Sequence, residues 1–351
     1  MDGLSPTALL FSSAPFSDEG VVHGGLQHTL KASIGCVGVG VHSGRRVSLT
    51  LCPAVAGTGI VFRRTDPSEA DPLAATRDIP ARFDLVSDTR LCTMLSDPAD
   101  PTRTIGTVEH LMAALAGAGI DNLRIEVDGP EVPILDGSAA PFLFLIDCAG
   151  IVAQPALRAR IEILHPIRVA DGEAFVELLP EADMRAGGLD MAMSIDFDAP
   201  AIGRQALSLT LSGHSFRSEL ADARTFALAG DIARLHEAGL ALGGSLENAI
   251  VVDGARVLNP AGLRMTDEFV RHKLLDAVGD LALAGAPIAG RFVAHRSGHA
   301  LNNQLLRALF ADATAWRRVG VNLRETALNE ESGWTGRVPV RSASELALSA
   351  A

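Results

Sequence analysis

The sequence predicts a chain of two parts of similar size, each built from both β-strands and α-helices. Three observations support this prediction. Stretches of alternating apolar residues interleave with stretches of helical periodicity, and the segment 154–156 (QPA) interrupts the pattern near the middle of the chain. Residues 122–129 (NLRIEVDG) are also similar to residues 248–254 (NAIVVDG), which points to an internal duplication.

The clearest strands lie in the first part. Residues 46–51 (RVSLTL) and 123–127 (LRIEV) place an apolar residue at every second position. Successive side chains of a strand point to opposite faces of the sheet, so this alternation predicts strands with one buried face.

Two helices are expected in the same part. Residues 108–116 carry apolar side chains at i, i+3, i+4 and i+7, which is typical of a helix packed on one side. Thr107 is the predicted N-cap, and Gly117 and Gly119 are expected to end the helix. A second helix is predicted to follow residues 136–138 (DGS).

The predicted organisation has four segments. Residues 1–27 are rich in Ser, Gly and Pro and residues 331–351 in polar and small residues, so both are expected to be flexible extensions. Between them we expect a first domain over residues 28–154 and a second over residues 158–310.

Composition limits the possible functions. The 351-residue chain is 48% hydrophobic, enough for one or two packed cores. Its net charge of −12, its 4% aromatic content and its lack of Tyr argue against a nucleic-acid-binding surface, and the charge also disfavours an anionic membrane.

The compartment is predicted from the cysteines and the N-terminus. The four cysteines show no C-x-x-C spacing, which indicates reduced and buried thiols: Cys36, Cys52, Cys92 and Cys148. The first Lys or Arg is Lys31, so the positive start of a secretory signal is not expected, and no apolar run is long enough for a membrane span. We therefore expect a cytoplasmic protein, a monomer without stable membrane insertion.

A metal site is indicated in the second part. On a helix, His272 and Asp276 are four residues apart and share a face, and Asp280 extends the same stripe. A nitrogen and an oxygen ligand suit Zn²⁺, but a catalytic zinc usually takes three protein ligands, so the third must come from elsewhere. The alternative is a solvated polar face.

His110 is the best candidate for the third ligand. If it binds zinc, the neighbouring Glu109 is placed to take a proton from a water that the metal activates. Alternatively, Glu109 only stabilises the helix dipole and His110 is a capping or core residue. His299, on a predicted turn or helix start, is either structural or a cation that Asp280 holds in its charged form and that stabilises an oxyanion.

Five motifs together resemble one family, the UDP-3-O-acyl-N-acetylglucosamine deacetylases of lipid A synthesis. The similarity runs from about residue 27 to about residue 309, in the order and spacing of the family. The motifs are residues 107–111 (TVEHL), 136–142 (DGSAAPF), 224–226 (RTF), 272–280 (HKLLDAVGD) and 297–303 (SGHALNN).

The resemblance implies the roles of the site residues in an amide hydrolysis that releases acetate. His110, His272 and Asp276 would bind Zn²⁺, although Fe²⁺ accepts the same ligands. The catalytic residues would be Glu109 as general base, Asp280 orienting a protonated His299, and Thr225 binding the oxyanion. Either His299 or the newly protonated Glu109 would protonate the leaving amine.

The resemblance also implies how the substrate binds. Lys273 and Arg296 would meet its diphosphate, and Asp231 its nucleotide sugar. Arg296 departs from the family, which commonly has Lys at that position. An apolar passage for the acyl chain would be formed by an insert at residues 235–246, with Leu242 in it, and Phe226 would contact the substrate.

The fold implied by the resemblance is α+β, with two related domains that each layer helices on a small β-sheet and an active site at their interface. Two alternatives in function stay open. One is a zinc amidohydrolase acting on another acylated sugar or on a peptide, and the other is a noncatalytic nucleotide-sugar-binding protein.

Overall fold

A computed structural model describes residues 25–66, 76–181 and 188–320 of the chain. The predicted flexible segment at residues 331–351 therefore lies outside the described residues. Of the predicted flexible segment at residues 1–27, only residues 25–27 are described. The helices and strands up to residue 157 are β1 (Leu26–Leu30), β2 (Ile34–Val39), β3 (Arg46–Pro53), β4 (Ile60–Arg64), β5 (Ile79–Pro80), β6 (Val86–Asp88), β7 (Met94–Asp97), β8 (Asp100–Ile105), α1 (Glu109–Ala118), β9 (Leu123–Val127), α2 (Ala140–Ala149) and β10 (Ile151–Leu157).

These strands form three sheets. The largest has the order β2-β3-β9-β4-β5, in which β4 and β9 are parallel and the other neighbours antiparallel. β6, β7 and β8 form a second, antiparallel sheet, and β1 pairs with β10 in a third. The two strands expected from alternation, residues 46–51 and 123–127, are confirmed as β3 and β9.

The remaining elements follow residue 157. They are β11 (Arg160–Ile163), β12 (Ile167–Asp171), β13 (Ala174–Leu179), β14 (Leu189–Asp196), β15 (Arg204–Leu211), α3 (Gly213–Ser215), β16 (Phe226–Leu228), α4 (Ala229–Glu237), β17 (Ile250–Asp253), β18 (Arg256–Val257), α5 (Glu268–Ala282), β19 (Ile288–His295), α6 (His299–Ala311) and β20 (Trp316–Val319). The described residues also include a 3₁₀ turn (Phe83–Leu85) in the first half and a π-helical segment (Phe216–Leu220) in the second.

The second half has one large sheet and one small one. β19 is central in the large sheet, where it pairs with β11, β13 and β14, while β12, β15 and β20 lie outside these strands. The small sheet has the order β16-β17-β18. The large sheet continues past residue 310, the predicted end of the second domain, because β20 pairs with β11. The mixed α+β class is confirmed.

The two halves meet through their helices. α5 packs against β14 and β15, α6 against β12 and β13, and α1 against α5. A glycine allows this last contact, because a Cβ atom at Gly279 in α5 would lie 2.0 Å from the carbonyl oxygen of Glu109 in α1. The helix junction therefore places the start of α1 directly against the middle of α5.

The predicted start of α1 is wrong by one residue. The N-cap is Val108 and not Thr107, and no side chain caps the helix. Thr107 instead has a φ of 56°, and its hydroxyl donates to Glu131 Oε2 at 3.2 Å. The threonine hydroxyl is thus held by a buried glutamate, which leaves it unable to cap the helix.

The predicted end of α1 is only partly right. Gly119 is the C-cap, with a φ of 72°, as expected for a glycine that ends a helix. Gly117 was also expected to end the helix, but it lies inside α1. Its lack of a side chain makes room for Phe216, whose ring would be 2.2 Å from a Cβ atom at this position.

The segment proposed as the domain boundary is not a loop. Residues 154–156 lie within β10, which pairs with β1. No strand pair among the described residues joins the two halves of the chain. Three sheets use only strands before residue 158, and the other two use only strands after it. In the described ranges, no helix is long and apolar enough to cross a membrane.

The prediction that the four cysteines are buried thiols is confirmed for only two of them. All four cysteines are free, and Cys52 and Cys92 are buried, but Cys36 is half-buried and Cys148 is exposed on α2. The expectation of buried thiols is therefore wrong for Cys148, which lies on the outer side of a helix near its end.

Candidate active site

Glu109 and His110 are the first two residues of α1, and both are buried. The left-handed turn at Thr107 directs the chain into the helix, and Gly279 of α5 lies against the Glu109 backbone. The first turn of α1 thus faces α5 without intervening side chains. A carboxylate at this position is also favoured by the positive end of the helix dipole.

α5 supplies His272, Asp276 and Asp280 from one face, as the i, i+4 spacing predicts. All three are buried, at 2–4% exposure. The alternative of a solvated polar face is therefore wrong, since the acidic and imidazole groups point into the helix junction and not into water.

Three of these buried groups converge. Asp276 Oδ1 lies 3.2 Å from His272 Nε2 and 3.5 Å from His110 Nε2. The two imidazole rings meet edge to face, with their centroids 4.9 Å apart. Among the residues that the structure describes, this is the one group of His, Cys, Asp and Glu side chains with a geometry that suits a metal ion.

The donor atoms of this cluster fit a divalent metal. His272 Nδ1 donates to the Ala223 carbonyl at 3.0 Å, which leaves Nε2 with its lone pair free. Asp276 Oδ1 is buried and has no hydrogen-bond partner, while Oδ2 accepts from Lys273 Nζ at 3.1 Å. Two imidazole nitrogens and one carboxylate oxygen are the ligand set of many catalytic zinc sites.

The charge states in the cluster suit metal binding as well. Burial lowers the pKa of His272 to about 4, so its imidazole is neutral near pH 7. Burial opposes ionisation of Asp276, but His272 and Lys273 outweigh it and hold the pKa of this carboxyl well below its usual value. Metal ligands must be deprotonated, and both groups meet this condition.

His299, the first residue of α6, pairs with Asp280. Its Nδ1 lies 2.9 Å from Asp280 Oδ2, which also accepts from Asn302 Nδ2 at 2.8 Å, while Thr93 Oγ1 donates to Asp280 Oδ1 at 2.5 Å. Burial alone would lower the pKa of His299, but the Asp280 carboxylate raises it to about 9. The geometry therefore favours the imidazolium and not a structural, neutral histidine.

Glu109 lies between the metal cluster and His299. Its Oε2 accepts from the Thr93 backbone N–H at 3.0 Å, and its Oε1 is 3.9 Å from His299 Nε2. Burial raises the pKa of Glu109, which brings a carboxylate closer to the range in which it can take up and release a proton near pH 7.

Thr225 and Phe226 lie on the second-half side of the cluster. The Thr225 backbone N–H donates to the Gly137 carbonyl at 2.9 Å, which ties this segment to the first half. The Phe226 ring centroid is 6.4 Å from that of His272. The segment therefore runs beside a metal-ligand candidate, and the Ala223 carbonyl that holds His272 precedes it by two residues.

The other predicted substrate residues lie further out. Lys273 contacts Asp276, but Arg296 pairs with the exposed Glu173, and Asp231 pairs with Arg234 within α4. The structure thus brings Lys273 to the cluster, whereas Arg296 and Asp231 make their ion pairs outside it.

A cavity of about 530 Å³ lies beside the predicted insert. Gly239 and Leu240 of the insert line it together with Leu91 and Cys92 from the first half. Leu242 is 55% exposed, and its backbone N–H donates to the His42 carbonyl at 3.2 Å. The stretch 235–246 is therefore the end of α4 followed by a turn, and it closes over a largely apolar space between the two halves.

Several residues of the site were missed by the sequence reasoning. Glu268, at the start of α5, is fully buried and accepts from the Arg224 side chain at 2.8 and 3.1 Å and from its backbone N–H at 3.1 Å. This ion pair fixes the segment before Thr225 against α5. An acidic residue four positions before His272 was a detectable signal for Glu268, but nothing in the sequence indicated the contacts of Thr93.

Comparison with known proteins agrees with the geometry. The family model described as UDP-3-O-acyl N-acetylglycosamine deacetylase matches residues 27–311. A UDP-3-O-acyl-N-acetylglucosamine deacetylase of Idiomarina loihiensis is 51% identical over 295 residues, which cover 84% of this chain and 92% of the relative. Proteins of the same name from Haemophilus influenzae (50% identity; 84% and 92% covered) and Myxococcus xanthus (49%; 85% and 91%) are similar over nearly the same length. The chain thus belongs to the UDP-3-O-acyl N-acetylglycosamine deacetylase family.

Proposed function

We propose that this chain hydrolyses the acetamide of UDP-3-O-(3-hydroxyacyl)-N-acetylglucosamine to the free amine and acetate, a step of lipid A synthesis. Its relatives are named as UDP-3-O-acyl-N-acetylglucosamine deacetylases, which supports this reaction. One observation carries the proposal. The buried cluster of His110, His272 and Asp276 lies directly beside the Glu109 carboxylate and the His299 imidazolium, so ligands, base and cation occupy one junction.

The three ligands hold Zn²⁺ in this proposal, with Fe²⁺ as the alternative that the same donors accept. When bound, the metal supplies Lewis acidity that polarises the acetamide carbonyl and acidifies water. The protein contributes the ligand geometry, in which the Ala223 carbonyl orients His272 and Lys273 orients Asp276.

Proton transfer is assigned to Glu109. Its carboxylate takes a proton from the attacking water, and its raised pKa then suits delivery of that proton to the leaving amine. His299 stays charged throughout, because Asp280 stabilises the imidazolium, and it stabilises the negative charge that develops on the carbonyl oxygen. The Thr225 hydroxyl is a second donor to that oxygen.

The nucleotide and the acyl chain of the substrate bind to residues around the metal cluster in this proposal. Lys273 and Arg296 meet the diphosphate, and Asp231 the nucleotide sugar. The acyl chain enters the cavity lined by Leu240. Leu242 contributes to the acyl passage, and Phe226 contacts the substrate beside His272. The apolar lining contributed by the insert supports this direction for the chain.

The test is acetate release from the UDP-3-O-(3-hydroxyacyl)-N-acetylglucosamine substrate by purified protein, before chelation, after chelation and after Zn²⁺ is returned. We expect release that chelation abolishes and Zn²⁺ restores. Release from an N-acetylated peptide or a sugar without an acyl chain, at the same kcat/KM, would favour a different amidohydrolase. Nucleotide-sugar binding without any turnover by the zinc-loaded protein would favour the noncatalytic alternative.

Domain limits, compartment and assembly complete the proposal. The proposed domains comprise residues 28–154 and 158–310, and β20 extends the sheet of the second by pairing with β11. We propose a cytoplasmic monomer without stable membrane insertion. The four free cysteines suit a reducing compartment.

A further inference from the structure

Thr93 touches the acid–base machinery from both sides. It lies immediately before β7 in the first half and is 2% exposed. Its backbone N–H donates to Glu109 Oε2 at 3.0 Å, and its hydroxyl donates to Asp280 Oδ1 at 2.5 Å. Asp280 lies 187 residues away along the chain, on α5 of the second half.

The two contacts leave the reactive atoms free and facing each other. With Oε2 of Glu109 held by Thr93, Oε1 is the oxygen that faces His299 Nε2, at 3.9 Å. With Oδ1 of Asp280 held by the Thr93 hydroxyl, Oδ2 accepts from His299 and Asn302. One residue therefore holds both the base and the carboxylate that orients the cation.

We propose that Thr93 is a positioning residue that sets the spacing between Glu109 and His299 across the junction of the two halves. The inference rests on the proposed function for its activity readout, but the spacing itself is a property of this chain. Thr93 acts through Asp280 and Glu109 and does not touch the reacting atoms.

The hydroxyl is the part of Thr93 that a substitution can remove selectively. Thr93→Val keeps the shape and the backbone N–H to Glu109 but leaves Asp280 Oδ1, a buried carboxylate oxygen, without its donor. Asp280 is then held through Oδ2 alone, by His299 and Asn302, so its carboxylate can rotate about that oxygen and shift His299. Loss of a partner that orients a metal ligand typically costs about 10- to 100-fold in activity, and we expect a loss of similar size for this analogous contact.

The first measurement is steady-state kinetics of Thr93→Val, Thr93→Ala and Thr93→Ser with equal metal content. We expect kcat to fall about 10- to 100-fold in the Val and Ala variants with KM nearly unchanged, and the Ser variant to recover most of the loss. Thr29→Val is the control, because Thr29 is also buried and its hydroxyl makes its contacts away from the site. That hydroxyl donates to the Asn122 carbonyl at 2.7 Å and accepts from the Ala54 N–H at 3.1 Å. A fall in kcat of the same size in Thr29→Val would overturn the proposal, and so would unchanged kcat in both Thr93 variants.

A double-mutant cycle identifies the route. If Thr93 acts through Asp280, Thr93→Val has no further effect on kcat in an Asp280→Ala background. An equal fall in that background contradicts the proposal. Two variants are available without the hydroxyl, so the failure of one to fold still leaves the other.

Crystal structures of Thr93→Val and Thr29→Val separate this inference from the proposed function. We expect the separation of Glu109 Oε1 and His299 Nε2 to depart from 3.9 Å only in Thr93→Val. If wild-type protein releases no acetate, the proposed function fails while this measurement still decides the positioning role. An unchanged separation overturns that role whatever the activity.

Discussion

Two carboxylates on the same face of α5, one helical turn apart, have opposite surroundings. Asp280 is satisfied within the protein by donors from Thr93, Asn302 and His299. Asp276 has an oxygen without any partner, although it is equally buried. An unpaired buried acceptor is costly unless something outside the chain completes it. The difference indicates that the cluster around Asp276 is built to be completed by a ligand, whereas the group around Asp280 is complete already.

Removing Asp276 should have the largest effect. In Asp276→Ala we expect metal content to fall to a small fraction of that of the wild type and turnover to be lost with it, because only two imidazoles remain. Metal analysis after gel filtration, together with acetate release, checks this. Asp280→Ala is the matched control on the same helix face, and it should keep its metal. Equal metal contents in the two variants would contradict the distinction between the two carboxylates.

Replacing Glu109 comes next. Glu109→Gln preserves the shape of the side chain and removes its basicity, so we expect metal content near that of the wild type and a fall in kcat of about 10²- to 10⁴-fold. The measurement is kcat with metal content determined on the same sample. Full activity in Glu109→Gln would show that another group accepts the proton.

The oxyanion assignment predicts a slightly smaller effect. Thr225→Val removes one hydroxyl donor, and we expect kcat to fall about 10²- to 10³-fold with metal content unchanged. Thr210→Val is the control. It removes a hydroxyl that donates to Asp190 in an exposed hydrogen bond, and it should leave kcat unaffected. Comparable losses in both variants would remove Thr225 from the site.

The Asp280 pair predicts a pH-dependent stability that Asp280 itself controls. The folded pKa of His299 is about 9, above its ordinary value of 6.5, so the contribution of this pair is full below pH 6.5 and is lost as pH rises through about 9. Imidazole NMR of the metal-free protein should give this midpoint, and denaturation from pH 6 to 10 should give the loss. In Asp280→Asn the midpoint should move down, because burial lowers the pKa of His299 and only the carboxylates of Glu109 and Asp276 then oppose it. An unshifted midpoint would mean that another group charges His299.

The sequence predicts the parts of the fold that depend on contacts between residues close together in the chain. The i, i+4 relation of His272 and Asp276 follows from helix geometry, and α5 and the start of α6 at His299 lie where the sequence indicated. Long-range contacts have no such signal. Thr107 looked like an N-cap because the sequence gives no hint that Glu131 takes its hydroxyl, and Gly117 looked like a helix end because Phe216, its partner, is almost a hundred residues away.

The site shows the same difference between local and long-range contacts. The metal ligands, the base and the cation were assigned from five motifs, yet the geometry that distinguishes Asp276 from Asp280 depends on Thr93 and Asn302, for which the sequence offered no role. The insert at residues 235–246 stays a prediction, and its contact with the β2–β3 connection at His42 is a property of the folded protein that the sequence did not indicate.

The smallest expected effect concerns Arg296, which is exposed, whereas Asp276 and Asp280 are buried. Its side chain is 43% exposed and pairs with the Glu173 side chain, which is 84% exposed, so this ion pair is worth only about 0–1 kcal/mol to stability. Arg296→Ala should therefore leave the midpoint of thermal unfolding almost unchanged and raise KM for the nucleotide substrate several-fold, while kcat is retained. Glu173→Ala, which removes the partner but keeps the cation, should leave KM unchanged or lower it, since Arg296 is then free for the diphosphate. A rise in KM of equal size in both variants would mean that Arg296 acts through the ion pair and not by meeting the substrate.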